Sequence, residues 1–369
     1  MFLKEILEGA DSSMKRILRS IFGAVIATTL AIFLLCDLAS ACSRVLWSDS
    51  GKAVVVGRTM DWSEDIKTNL WLLPRGIVRE GAPGKNKLRW SAKYGSVIAT
   101  AYDMGTADGV NEKGLTANVL WLDEADYGKR DESVPGLPLS LWAQYMLDNF
   151  ATVAEAVEFT RSETFQLIEA SFPEMNLKVT VHLSLADASG DSAIIEYLGG
   201  KPIIYHNRKY TVMTNSPTFD KQLANLGRYK GFGGDRDLPG SGEATDRFVR
   251  AAYYVSNLPK PADDRENVAF ILSVIRNVSA PFIVKQDAEG RPNISPTRWR
   301  TVADLTNRVY YFESTTGLNI FRVRLNRLNF KPGAPVRKLN LLRERNLVGD
   351  VSGKFKRAKP FVFVGADSQ

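Results

Sequence analysis

Residues 39–62 read ASACSRVLWSDSGKAVVVGRTMDW, and both the fold and the chemistry of the chain turn on this stretch. Ala39-Ser40-Ala41 is a small-residue A-x-A site that follows an apolar run from Ile21 to Leu35, with Lys15, Arg16 and Arg19 ahead of it. Basic, apolar and small-residue segments in that order make residues 1–41 a removable signal peptide. Cutting after Ala41 makes Cys42 the first residue of the mature chain, with a thiol and a free α-amine on one carbon. The other cysteine, Cys36, leaves with the leader. A single cysteine in an exported protein has no internal disulfide partner, so it reads as a nucleophile.

Two other readings of the leader compete. A membrane anchor needs about 20 apolar residues, and this run is bounded by Arg19 and Asp37. A lipoprotein would carry a branched apolar residue three before the cysteine, where this chain has Ala39. No stable membrane anchor is therefore expected, and the mature protein is expected in the periplasm or secreted. Met14-Lys15-Arg16 is also a good opening for such a leader, as an alternative to Met1.

Beyond Cys42, Ser43 to Trp47 and Lys52 to Val56 flank Asp49-Ser50-Gly51, a hairpin signal. A turn near Ser50 sets residue 42 opposite about residue 58. It brings together strand ends that could otherwise lie ~50 Å apart. Arg58 then arrives beside the thiol, where a cation favours thiolate. Asp61 follows, a carboxylate that can orient the α-amine.

Further strands are expected at Ser96 to Tyr102, Gly114 to Leu122, Val179 to Leu185, Ala193 to Tyr197, Lys209 to Met213, Val309 to Glu313 and Asn319 to Leu325. Helices are expected at Leu139 to Asn149, from the capping box Thr152-Val153-Ala154-Glu155, at Thr245 to Ser256 and at Glu266 to Asn277. Asn215 to Gly242, rich in Gly, Pro, Asn and Asp, reads as a long functional loop. Many strands with a few helices and no regular βαβ alternation indicate an α+β layered fold. The mature chain reads as one domain over 42–330 with a basic extension, 331–369, belonging to the same domain.

Composition narrows the chemistry. The 369-residue chain carries a net charge of +7, and the leader's four basic residues cancel against its four acidic ones. No zinc-ligand cluster, RNP-like motif or helix-turn-helix pattern accompanies that charge, so no nucleic-acid partner is expected. Two histidines, His182 and His206, leave no material for a multi-histidine metal site. His182 sits in an alternating strand pattern and reads as structural. No metal and no cofactor are expected, and the base for a catalytic cysteine must come from elsewhere.

Taken together, several motifs resemble one family. Cys42-Ser43-Arg44 and Gly57-Arg58-Thr59-Met60-Asp61-Trp62 resemble the mature opening of choloylglycine hydrolases, which include conjugated bile salt hydrolases and penicillin V acylases. Asp108-Gly109-Val110-Asn111-Glu112-Lys113-Gly114-Leu115, Met213-Thr214-Asn215-Ser216-Pro217, Asp246-Arg247-Phe248 and Trp299 with Val309-Tyr310-Tyr311-Phe312 agree in order and spacing. The resemblance implies an αββα four-layer sandwich of the N-terminal nucleophile hydrolases, and a homotetramer. It implies that Cys42 attacks the amide carbon with its own α-amine as base, that Arg58 stabilises the thiolate and that Asp61 holds the amine. Asn215 would donate to the oxyanion together with the backbone N–H of residue 121, and Arg247 would complete the charge network. Trp62 and Trp121 resemble the acyl-pocket wall of Gram-negative members, where bile salt hydrolases commonly carry asparagine at the second position. The substrate implied is a small amphipathic N-acyl amide: a conjugated bile salt, penicillin V or an N-acyl homoserine lactone. The alternative from another class is a lipid-anchored binding protein that kept the fold without the chemistry.

Overall fold

A computed structural model describes residues 42–81, 86–169, 171–172, 177–282 and 295–365. The leader, with Cys36 and the cleavage site, lies outside the described residues. The strands of two large sheets begin with β1 (Ser43–Trp47), β2 (Val55–Asp61), β3 (Leu70–Leu73), β4 (Ser96–Ala101), β5 (Gly105–Asn111) and β6 (Thr116–Trp121). The middle of the chain adds β7 (Val181–Ala186), β8 (Ser192–Leu198), β9 (Lys201–His206) and β10 (Val212–Thr214). The remainder adds β11 (Thr297–Asp304), β12 (Val309–Ser314), β13 (Ile320–Arg324), β14 (Arg337–Leu339), β15 (Gly349–Asp350) and β16 (Lys356–Arg357). Among the described residues five α-helices accompany them: α1 (Leu139–Asn149), α2 (Val153–Arg161), α3 (Phe219–Leu226), α4 (Ala244–Ser256) and α5 (Asp264–Asn277).

A seven-stranded sheet runs β10-β1-β2-β11-β12-β13-β15, and a nine-stranded sheet runs β9-β8-β7-β6-β5-β4-β3-β14-β16. Every residue of β1 and β2 is buried, so both faces of these strands are covered. One face meets helices. A Cβ at Gly57 would lie 2.6 Å from Ile275 Cγ2, so glycine here lets α5 sit close on the sheet. The other face meets the second sheet. Arg44 donates to the Leu185 carbonyl at 3.3 Å, and Arg58 donates to the Ala107 and Val119 carbonyls at 3.0 and 2.8 Å. These buried arginines strap sheet to sheet. Helix α4 packs on β1 and β10, and α5 on β1, β2 and β11, while α1 and α2 pack on the nine-stranded sheet. The result is the αββα sandwich, with one core between the sheets and a second, around Trp142, Met146, Leu183 and Ile195, under α1 and α2.

Three local expectations change. The hairpin register pairs Arg44 with Arg58 and Ser43 with Thr59, two residues from the expected alignment. Residues 48–54 form a wide connection in place of a tight turn at Ser50. Because side chains alternate with period two, the shift leaves Arg58 on the face that Cys42 uses. Within the expected loop after Asn215, Phe219 to Leu226 form α3. Finally, Gly105–Asn111 is itself a strand, and Gly114 at φ +86° closes the turn after it.

Candidate active site

Cys42 stands at the head of β1, buried, where the nucleophile reading requires chemistry. Its Sγ lies 3.8 Å from Met60 Sδ and accepts from the Asp61 N–H at 3.5 Å. Burial pushes the thiol up, opposed first by Arg58 and then, more weakly, by Arg247, while the Asp61 charge adds to the rise. Arg58 thus acts in the direction expected of a neighbouring cation, and burial outweighs it.

Arg58 approaches from between the sheets. Its Nη2 is 4.0 Å from Met60 Sδ, and its guanidinium lies 5.0 Å from the Trp299 ring centroid and 3.6 Å from Asp108 Oδ2. Asp108 in turn accepts from Tyr310 at 2.5 Å, Asn118 at 2.8 Å and Thr301 at 3.2 Å. Burial raises the Asp108 carboxyl, with Arg58 the chief opposing influence.

Behind the sheet, on its helix side, Arg247 of α4 donates through Nη1 to the Cys42 carbonyl at 2.7 Å and to Ser43 Oγ at 2.5 Å. Its Nε donates to the Gly242 carbonyl at 2.9 Å, and Nη1 stands 3.8 Å from Asp61 Oδ2. Asp61 accepts from Thr297 at 2.5 Å and from Thr59 at 3.3 Å. Burial pushes Asp61 up to about 7 against the pull of Arg247 and of those two hydroxyls. In the full chain the Cys42 nitrogen is a peptide nitrogen, and it donates to Asn215 Oδ1. That places Asn215 beside Cys42, with its carbonyl end turned to it. Gln222 of α3 grips the same loop, donating to the Asn215 carbonyl and to Thr214 Oγ1, each at 3.1 Å.

An apolar pocket of about 780 Å³, counted out to its mouth, opens onto Cys42 and Arg58. Trp62 and Trp121 both line it, their ring centroids 5.9 Å apart and tilted by 53°. The Trp62 indole donates to Tyr102 Oη at 2.9 Å, and the Trp121 indole to Asp123 Oδ1 at 2.5 Å. Met60, Leu120, Leu139 and Val181 complete the apolar wall.

All seven residues singled out in the sequence therefore converge on one place. Residues 42–338 match the family model described as linear amide C–N hydrolases, choloylglycine hydrolase family. The chain belongs to that family. It is 45% identical over 349 residues to a penicillin V acylase of Pectobacterium atrosepticum, covering 88% of this chain and 92% of the relative. Among solved structures, the penicillin V acylase from Agrobacterium tumefaciens superposes with a TM-score of 0.81 at 46% identity, over 88% of this chain and all of that one. A bile salt hydrolase/transferase of Clostridium perfringens is 25% identical over 299 residues, 74% of this chain and 89% of the relative. This member of the choloylglycine hydrolase family is thus a linear amide C–N hydrolase.

Sequence reasoning missed several supports of the site. Thr297 and Thr59 hold Asp61, Ser43 receives Arg247, and Asp108 with Tyr310 stands behind Arg58. Threonine at a strand end carries no motif of its own. Asp108 and Tyr310 lay inside stretches that carried the resemblance, and their pairing across two sheets was the part left unread.

Proposed function

We propose that the enzyme hydrolyses the linear amide of small N-acyl compounds with an aromatic acyl group, penicillin V first among them, with Cys42 as an N-terminal nucleophile. The observation that carries this is the Trp62–Trp121 wall on the pocket that opens onto Cys42. Offset indoles give an apolar, stackable surface for an acyl group and leave the leaving amine toward solvent. That relatives at 45% and 46% identity are penicillin V acylases supports the same choice.

Removal of the leader frees the Cys42 α-amine, whose ordinary pKa of about 7.7–8.0 suits a base near neutral pH. The amine takes the thiol proton, Sγ bonds to the acyl carbon, and Asn215 with the N–H of residue 121 receives the oxyanion. The C–N bond then breaks, the proton passes to the departing amine, and water hydrolyses the thioester by the same route. Arg58 favours the thiolate, and Arg247 and Asp61 hold the first residue in place. We place the mature enzyme in the periplasm or outside the cell, as a homotetramer.

The test uses protein beginning at Cys42, verified by mass spectrometry, with penicillins V and G and glyco- and tauro-conjugated bile salts. Penicillin V is expected to be turned over fastest. One extra residue before Cys42 is expected to abolish turnover with circular dichroism unchanged. Full activity in the extended form would sink the N-terminal reading, and a preference for bile salts would sink the aromatic-acyl one.

A further inference from the structure

Trp121 ends β6, Leu122 is fully buried, and the chain turns outward at Asp123. The Asp123 carboxylate makes two bonds there, each to a different part of the site. Oδ1 accepts from the Trp121 indole at 2.5 Å, and Oδ2 accepts from Ser216 Oγ at 2.9 Å. The Asp123 N–H closes the loop by donating to the same hydroxyl at 2.8 Å. Ser216 directly follows Asn215, which accepts the Cys42 N–H.

We propose that Asp123 is a positioning residue that ties the aromatic wall of the pocket to the Asn215 loop, so that one carboxylate sets both the acyl fit and the placement of the oxyanion donor. The inference rests on the proposed reading of this site and extends it to a residue outside the machinery already described. An indole rotates about two side-chain bonds, and a charge-assisted bond to Nε1 selects one ring orientation. Trp62, the other indole of the wall, is held separately, through Tyr102 to Glu64 at 2.5 Å. Losing Asp123 therefore frees one ring of the pair and leaves the other fixed. On the opposite side, Gln222 holds the Asn215 carbonyl, so Ser216 is the second clamp on that loop. Asp123 is exposed, so water competes for its bonds and the effect is one of degree.

The experiment compares Asp123→Ala, Ser216→Ala, Trp121→Phe and the Asp123→Ala/Ser216→Ala pair in mature enzyme, with an aryl-acyl and a linear-acyl amide. A net hydrogen bond of ~1.4 kcal/mol corresponds to about tenfold. Asp123→Ala is expected to lower kcat/KM for the aryl-acyl substrate about tenfold, and for the linear one less. Trp121→Phe keeps an aromatic ring but loses the donor and part of the wall, and is expected to move chiefly KM, and Ser216→Ala chiefly kcat. In kcat the double variant should lose less than the sum of the two single losses, since both singles delete the Ser216–carboxylate bond while the residue 123 N–H keeps its bond to Ser216 in Asp123→Ala. Unchanged selectivity in Asp123→Ala, or additive losses in the double variant, would overturn the proposal. Should Asp123→Ala not fold, Asp123→Asn keeps an acceptor for one partner and is expected to show part of the same loss. The indole N–H proton resonance of Trp121, assigned through Trp121→Phe, reads the link without any substrate. It is expected to move upfield in Asp123→Ala. A resonance that stays put overturns the link even if turnover is normal. A shifted one in a protein that cleaves no amide places the failure in the proposed function.

Discussion

Two buried arginine–carboxylate pairs flank Cys42 on opposite faces of the same sheet, and they differ in how their arginines are used. Between the sheets, Arg58 gives its N–H groups to carbonyls of the nine-stranded sheet and lies 3.6 Å from Asp108. On the helix side, Arg247 gives its shortest bonds to the nucleophile's own carbonyl and to Ser43, and stands 3.8 Å from Asp61. Arg58 acts on the thiol as a fixed charge. Arg247 acts by holding the backbone. A cation that works through its field tolerates a small displacement, because Coulomb energy falls only as 1/r. One that works through hydrogen bonds does not.

The largest expected effect breaks the second pair. Arg247→Met removes the grip on Cys42 and leaves Asp61 buried without its cation. The expected cost is about 3–5 kcal/mol, read from urea unfolding, with turnover lost. Asp61→Asn on that background should recover much of the stability and none of the turnover. Equal recovery of both would mean that Arg247 serves Asp61 and not the backbone.

A smaller effect compares the hydroxyls that serve each carboxylate. Tyr310→Phe and Thr297→Val each delete one bond to a buried carboxyl, with an expected loss of about 1.5–3 kcal/mol. Thr297→Val should also lower kcat, since Asp61 lies beside the nucleophile, whereas Tyr310→Phe should leave kcat nearly intact. Equal losses of kcat would erase the distinction between the two faces.

The smallest effect is a shift in thiol reactivity. Burial raises the Cys42 thiol, so iodoacetamide labelling is expected to keep rising past the ordinary thiol value of about 8.5. Asp108→Asn removes the anion that partly cancels Arg58. The thiol pKa should fall, and labelling at pH 7 should quicken by a few-fold. Arg58→Gln made together with Asp108→Asn removes the cation as well, raises the thiol pKa and slows labelling. A rate that ignores both changes would show that Arg58 exerts no useful field at Sγ.

How much of this could be read from the chain follows the distance over which each feature acts. The pairing of the first two strands, though not its register, and the capping box at Thr152 are local and were legible. In α2 the Thr152 hydroxyl accepts from the Glu155 N–H at 3.3 Å, as that motif requires. That the seven candidate residues would meet was legible because each lies in a motif with its own spacing. Strand β3 was not, since Leu70 to Leu73 are all buried and show no alternation. Helix α3 was hidden by the glycines and prolines around its eight residues. The register of β11 against β2, which brings Thr297 opposite Asp61, belongs to the sheet and to neither strand alone. The raised thiol was missed for a similar reason: spacing reveals a neighbouring charge but not the depth of burial.

The place of β11 has a kinetic side. It enters the seven-stranded sheet between β2 and β12, and its Thr297 hydroxyl meets Asp61 across 236 residues of sequence. Closing so long a loop costs entropy before any contact offsets it, and folds dominated by such pairings form slowly. A growing chain displays Cys42 almost at once, yet the strand that secures Asp61 comes from its last quarter. Until then the cysteine is an ordinary thiol on an unfinished sheet. Assembly of the site around Cys42 is thereby tied to synthesis through β11, and a chain cut short before residue 297 carries Asp61 without its Thr297 partner.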